Sequence, residues 1–501
     1  MIAAYCWPQS ASAGEHVDLM ISASAPTVTV AVTRVGAEEL PVIELAHLAV
    51  GLQPIPDDVA VDGCAWPVAT TIEVDAEWPS GFYLVRVIAD DGETSEAFFV
   101  VRRPPAGPYA DALLVLTTST WAAYNDWGGP SFYTGGHISS LQRPLPRGFL
   151  DKPDPARFRV ARFGELPRAE VEEHFAHYSY WSAAAGWSNW ERLFVAWAER
   201  EGLHLDYATS LDLAREPDLL APYRLYLSVG HDEYWSASMR DSVENWVQDG
   251  GAAVFLSGNT AFWQVRFDDA GTQVVGYKND FALDPVVGTK AEPSVSTMWS
   301  DPLCGRPESE MTGVTFTRGG YAHCFNAPTG TGGYTVWRPD HWPFEGLRLR
   351  AGDVLGADLV VVGYECDGCE LQLVDGLPVA AGTAGTPKDF EVLATAPAHL
   401  WATEEGPPGL PDTYTGELNW VAERIGGADT PENRERFAHG YAVMGTFRLG
   451  RGEVLTVGCT DWAYGLGDHA VSKVTRNIVS RYVDDGSQER LPPWPNVAPR
   501  P

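Results

Sequence analysis

Positive charge is scarce in this chain: 35 lysines and arginines stand against 67 aspartates and glutamates in 501 residues, a formal charge of −32. A nucleic-acid groove or an anionic lipid surface needs clustered cations, so neither nucleic acid nor membrane is an expected partner. Runs of about 20 apolar residues are also missing, which argues against a spanning helix. The start, Met1-Ile2-Ala3-Ala4-Tyr5-Cys6-Trp7, has no basic region followed by a sustained apolar stretch, so the sequence predicts no export leader and a cytoplasmic location. Seven scattered cysteines, an odd number, do not form a disulfide framework. Cys366-Asp367-Gly368-Cys369 has no second pair to complete a zinc site and reads as a hairpin turn around Asp367-Gly368. The glycine pairs at 250–251, 319–320 and 332–333 lack a phosphate-loop context, and no serine sits in a G-x-S-x-G elbow. A nucleotide cofactor and a serine nucleophile both go unsupported.

What the chain does have is aromatic residues, including 19 Trp and 19 Tyr, which implies aromatic-lined pockets or large aromatic packing surfaces. Its length predicts two or three domains. Residues 1–105 alternate, with Val28, Val30, Val32 and Val35 turned inward, and turn residues punctuate the stretch; an immunoglobulin-like β-sandwich is expected there. Pro104, Pro105 and Pro108 then make a stiff linker.

Beyond the linker, strands at 112–117, an unbroken apolar run, and at 203–207, 225–230 and 253–257 alternate with helical patterns, and the alternation returns at 453–458 and 471–483. The fold class predicted is α/β, with a mostly parallel sheet, helices on both faces and a glutamine-amidotransferase-like organisation. It occupies 106–270 and 451–490, and a long β-rich insertion, 271–450, contributes to the active-site cavity. Open sheets of this kind bind ligands at the carboxyl ends of their strands. Candidates gather there: Tyr124 and Asn125 after the first strand, Asp206-Tyr207 after the second, His231-Asp232-Glu233-Tyr234 after the third, Asn259 after the fourth and Asp461 after the fifth. His231 suits a general base or a metal ligand, with the orienting of a neighbouring loop as the plain alternative. Asp232 and Glu233 are adjacent, so their side chains diverge and at most one faces the cavity.

The segments TSTWAAYNDWGGPSFY (118–133), YRLYLSVGHDEYWSASMRDSVENWVQDGGAAVFLSGNTAFWQVRF (223–267), RPESEMTGV (306–314), VVGYECDG (361–368) and GCTDWAYGL (458–466) together resemble the large, or beta, subunit of N,N-dimethylformamidase. The resemblance covers most of 110–485. It implies an amidohydrolase acting on linear amides, with a mononuclear ferric iron held by two tyrosines and one glutamate. Carried onto this chain, Tyr234 matches one tyrosine ligand; Tyr207, with Tyr124 as fallback, matches the second; and Glu308, with Glu310 as rival, matches the carboxylate. Phenolate and carboxylate are hard donors suited to such an ion, which would polarise a carbonyl and acidify water. The resemblance also makes Asp461 the proton donor to the leaving amine, although relatives often carry a glutamate there, and gives His231 and Asn259 supporting or carbonyl-orienting roles. The expected partner is a small molecule. A separate small subunit, a homo-oligomer and a monomer all stay open.

Trp299, Trp337, Trp342 and Tyr364 offer material to enclose something larger than a formamide. Two other readings stand beside the hydrolase: a non-hydrolytic enzyme on the same scaffold, such as a lyase or a specialised-metabolite tailoring enzyme, and a binding module with a degenerate site.

Overall fold

The structure is a computed structural model that describes residues 1–103, 110–324, 327, 330–405 and 416–483; the proline stretch expected as a linker lies outside them. Five strands run parallel in the order Leu205–Thr209, Ala112–Leu116, Leu225–His231, Ala252–Gly258 and Gly452–Thr456. The first four are buried at every residue, because both faces of the sheet are covered. Successive side chains divide between two cores. Leu227 and Leu114 pack with Phe194 of helix Glu191–Arg200 and Ile478 of helix His469–Ser480. Tyr226 and Leu113 pack with Met239, Val243 and Val247 of helix Ala237–Gln248. Ser236 opens that last helix by accepting the Met239 N–H at 3.3 Å, which satisfies one of the donors a helix start leaves free.

The sheet is mixed, which corrects the mostly parallel expectation. His439–Leu449 lies antiparallel to Gly452–Thr456, and Glu391–His399 then pairs antiparallel with His439–Leu449. Thr315–Tyr321 and Glu365–Gly368 continue the antiparallel half. Much of 271–450 therefore extends the same sheet. The joint is a tight hairpin between Leu449 and Gly452, where Gly450 takes φ 62°, a left-handed conformation that favours glycine. Asp367-Gly368 is strand, not the expected hairpin turn, and Cys366 forms an isolated bridge with Cys459.

Ahead of this sheet, the regular structure of residues 2–101 is β apart from one short helix, Val59–Asp62. A three-stranded sheet (Ile2–Trp7, His16–Ala23, Val68–Glu73) and a five-stranded sheet share a core that includes Leu19, Val28, Val30, Val32, Val85 and Phe99. Among the described residues no helix is long and apolar enough to cross a membrane.

One crossing at the carboxyl edge sets the geometry that follows. A Cβ on Gly258 would stand 2.5 Å from both the Glu365 carbonyl oxygen and the Thr460 nitrogen, so only glycine lets these three segments meet. The next residue, Asn259, has φ 49°, which turns the chain out of the sheet.

Candidate active site

Strand Leu225–His231 delivers His231, Asp232 and Glu233 to this edge, and the two acids part as adjacent side chains must. Asp232 turns back to accept the Ser228 hydroxyl at 2.7 Å. Glu233 enters a cavity of about 300 Å³, which Tyr124, Tyr133, Asn259, Lys278 and Glu365 also line. The Glu233 carboxylate accepts the Trp263 indole N–H at 2.8 Å and the Tyr124 hydroxyl at 3.0 Å. Tyr133 lies 3.0 Å from both carboxylate oxygens. The three phenols are linked as well, Tyr234 donating to Tyr133 at 2.8 Å and Tyr133 to Tyr124 at 2.6 Å. Burial, reinforced by the Glu233 charge, holds all three phenols well above their usual range, so they stay protonated donors. Burial also raises Glu233, against the pull of His231 and Lys278.

His231 is fixed from both sides. Its Nδ1 lies 2.8 Å from the Ala184 carbonyl, which can only accept, so that nitrogen carries a proton. Its Nε2 contacts Glu365 at 2.6 Å and Glu233 at 3.3 Å. Burial opposes a charge on the ring, but Glu365 and then Glu233 outweigh it and raise His231 to about 9, so the imidazolium bridges two carboxylates at neutral pH. Asn259 Nδ2 donates to Glu365 at 3.2 Å, while its Oδ1 is buried with no hydrogen-bond partner. Lys278 also lines the cavity, its ammonium 3.3 Å from the centre of the Tyr133 ring. Burial lowers it to about 8, with Glu233 opposing.

These residues place two carboxylates, two cations and an unpartnered amide oxygen around one small space. A profile of the family described as N,N-dimethylformamidase beta subunit-like, C-terminal, matches residues 29–476. The chain belongs to that family. Two curated beta subunits of N,N-dimethylformamidase are similar to it. The one from Alcaligenes sp. is 22% identical over 463 residues, covering 86% of this chain and 56% of the relative. The one from Paracoccus aminophilus is 22% identical over 457 residues, covering 85% and 55%. The chain thus spans a little over half the length of these relatives. Among solved structures, a superoxide reductase (neelaredoxin) from Ignicoccus hospitalis aligns with 20% of the chain at 9% identity and a TM-score of 0.14, a likeness too slight to inform the fold.

The iron expected from the family resemblance needs correction. Among the described residues, no group of three or more His, Cys, Asp or Glu could hold a metal ion. The ligand set carried over from the resemblance does not assemble either. Tyr207 sits on the edge strand of the sheet, its backbone N–H bonded to Ser80 Oγ at 3.0 Å and its phenol in the field of Arg34 and Glu199. Both oxygens of Glu308 are taken by hydroxyls, Ser300 at 2.6 Å and Thr315 at 2.5 Å. Glu310 is exposed. Of the tyrosines considered, Tyr234 and Tyr124 belong to the cluster at Glu233.

Asp461 stands apart from the cavity lining. Its Oδ1 accepts the Trp190 indole N–H at 2.9 Å and its Oδ2 pairs with Arg159 at 3.1 Å. Asn259 lines the cavity, and His231 lies behind it in contact with Glu233 and Glu365. Sequence reasoning missed Tyr133, Glu365 and Lys278. The first two lie in family segments, at the end of 118–133 and in 361–368, so the signal was present but not read as chemistry. Lys278 stands in no such segment. Of the aromatic residues expected to enclose a substrate, Tyr364 lines the cavity; Trp299 packs against Arg240 and Trp342 against Arg481.

Proposed function

We propose that this cavity hydrolyses the C–N bond of a linear amide. The observation that carries the reading is the meeting of Glu233, Glu365, His231, Asn259 and Lys278 at the carboxyl edge of the sheet, under an aromatic roof. Membership of a family whose curated relatives are dimethylformamidase subunits supports it. The scaffold is taken as glutamine-amidotransferase-like, an α/β domain over 106–270 and 451–490 with the insertion 271–450 contributing Lys278 and Glu365 to the cavity, and 1–105 a β-sandwich against the sheet edge.

In this reading Glu365 takes a proton from water as the water oxygen bonds to the amide carbon. The His231 imidazolium, 2.6 Å from its carboxylate, holds Glu365 in place. Asn259 orients the water or the amide through its free oxygen. Lys278 delivers a proton to the amine nitrogen as the C–N bond breaks, so that a carboxylic acid and an amine leave. Asp461, which the resemblance suggests as the proton donor, has its carboxylate engaged by Arg159 and Trp190 and takes a supporting place behind the floor.

The test is to incubate the purified full chain with a panel of formamides, acetamides and benzamides and to quantify released amine by chromatography. Amine release that disappears in Glu365→Gln supports the reading. A wild-type chain that releases no amine from any member, or an undiminished Glu365→Gln variant, would sink it.

A further inference from the structure

We propose that the amide this cavity accepts is uncharged and carries a flat aromatic group, so that a molecule the size of dimethylformamide is a poor fit. This rests on the hydrolytic reading and adds the substrate class to it.

Volume is the first argument. The cavity of about 300 Å³ has the room of roughly ten waters at ~30 Å³ each, and dimethylformamide would leave much of that to water. The division of the lining is the second. Twelve of its twenty-one residues are aromatic, while Glu233, Asn259 and Glu365 are grouped at the strand ends. An amide held at that floor must direct its substituent towards rings. Tyr321 and Trp401, which both line the cavity, stack 3.6 Å apart within 5° of parallel and form a slab that suits a planar guest.

Charge is the third argument. His231 and Lys278 are already opposed by Glu233 and Glu365, so the floor keeps no excess charge for an ionic ligand. On the outer wall, Val160 and Phe163 from turn Val160–Glu165 and Val171 and Phe175 from helix Arg168–His177 line the cavity without a charge among them. A charged substituent would lose its water there with little in return. Phe163 and Phe175 are only half-buried, and a bound ring would take their remaining apolar surface out of water. Glu417 also lines the cavity, so a cationic guest is the competing outcome that the experiment must separate.

The test compares N,N-dimethylbenzamide, its para-trimethylammonium analogue and dimethylformamide on the full chain. Binding is followed by quenching of the cavity indoles, and turnover by amine release. The benzamide is expected to bind at least about tenfold more tightly than either of the others. In Phe175→Ala, and separately in Phe163→Ala, the preference for benzamide over dimethylformamide should fall about fivefold or more; the half-exposed position of both rings keeps the fold out of question. Equal or tighter binding of dimethylformamide or of the cation, or an unchanged preference in both variants, overturns the assignment. Efficient turnover of dimethylformamide with no aryl preference leaves hydrolysis standing and removes only the aromatic substrate. Tight benzamide binding without amine release from any amide supports the ligand class and removes the hydrolytic reading.

Discussion

The same parallel strands end in two very different surroundings. At their amino ends, around Arg224, Gly251-Ala252 and Gly452, lies the larger hollow, about 1080 Å³, lined by groups such as Asp241, Asp249, Arg451 and Arg481. Its charges face one another in water: Arg451 and Asp249 are 3.2 Å apart with side chains 74% and 82% exposed. At the carboxyl ends the hollow is less than a third of that size, yet His231, Glu233 and Glu365 are almost wholly buried in contact with one another. An ion pair in water is screened and has little effect on its own chemistry, whereas a buried one shifts proton affinities and fixes geometry. The smaller hollow is therefore the better candidate for chemistry, and size alone would have pointed to the wrong end.

The sharpest way to break this contrast is Glu365→Gln, which is expected to lower amide hydrolysis by about a thousandfold; a steady-state assay checks it. Next is the buried pair behind the floor. Arg159 and Asp461 are only 4% and 1% exposed, so Asp461→Ala leaves an unmatched guanidinium and should cost about 3 kcal/mol in urea unfolding. If that variant is as stable as the parent, the pair is not the support described here.

A pH-dependent effect of comparable size concerns Asp367, at the same edge, which burial raises to about 8. Its folded-state pKa lies above the unfolded value, so the native state holds a proton that the unfolded chain has released. Stability from this group is present at low pH and is lost as pH rises from about 4 through about 8, by at most ~1.4 kcal/mol per pH unit. Asp367→Asn should remove that slope, as read from urea midpoints at pH 5 and pH 7.5. The smallest effect belongs to the amino end: Arg451→Ala should change stability by under about 0.5 kcal/mol and leave hydrolysis within about twofold. A large activity loss in that variant would erase the distinction between the two ends.

What could be read from sequence follows the same physics. The parallel strands stand out because burial on both faces leaves unbroken apolar runs such as Ala112–Leu116. The antiparallel half does not: Glu365–Gly368 and Thr315–Tyr321 are short and rich in glycine and polar residues, and their pairing depends on partners far along the chain. The floor divides in the same way. His231, Tyr234 and Asn259 directly follow readable strands and were found. Glu365 meets His231 across more than a hundred residues, and no local pattern announces that contact. Tyr207 and Asp461 also follow readable strands, yet neither joins the cluster at Glu233, since position at a strand end does not say which way a side chain points.

The crossing at Gly258 has a practical meaning for anyone redesigning this protein. Three backbones meet there without room for a single methyl group, so the spacing between Glu365 and the Asn259 turn cannot be tuned by substitution at that position. The roof from 160 to 181 has half-buried rings on a turn and a short helix, and it can be rebuilt piece by piece. Variant libraries aimed at new ligands belong on that roof, and those aimed at reaction rate will find little freedom below it.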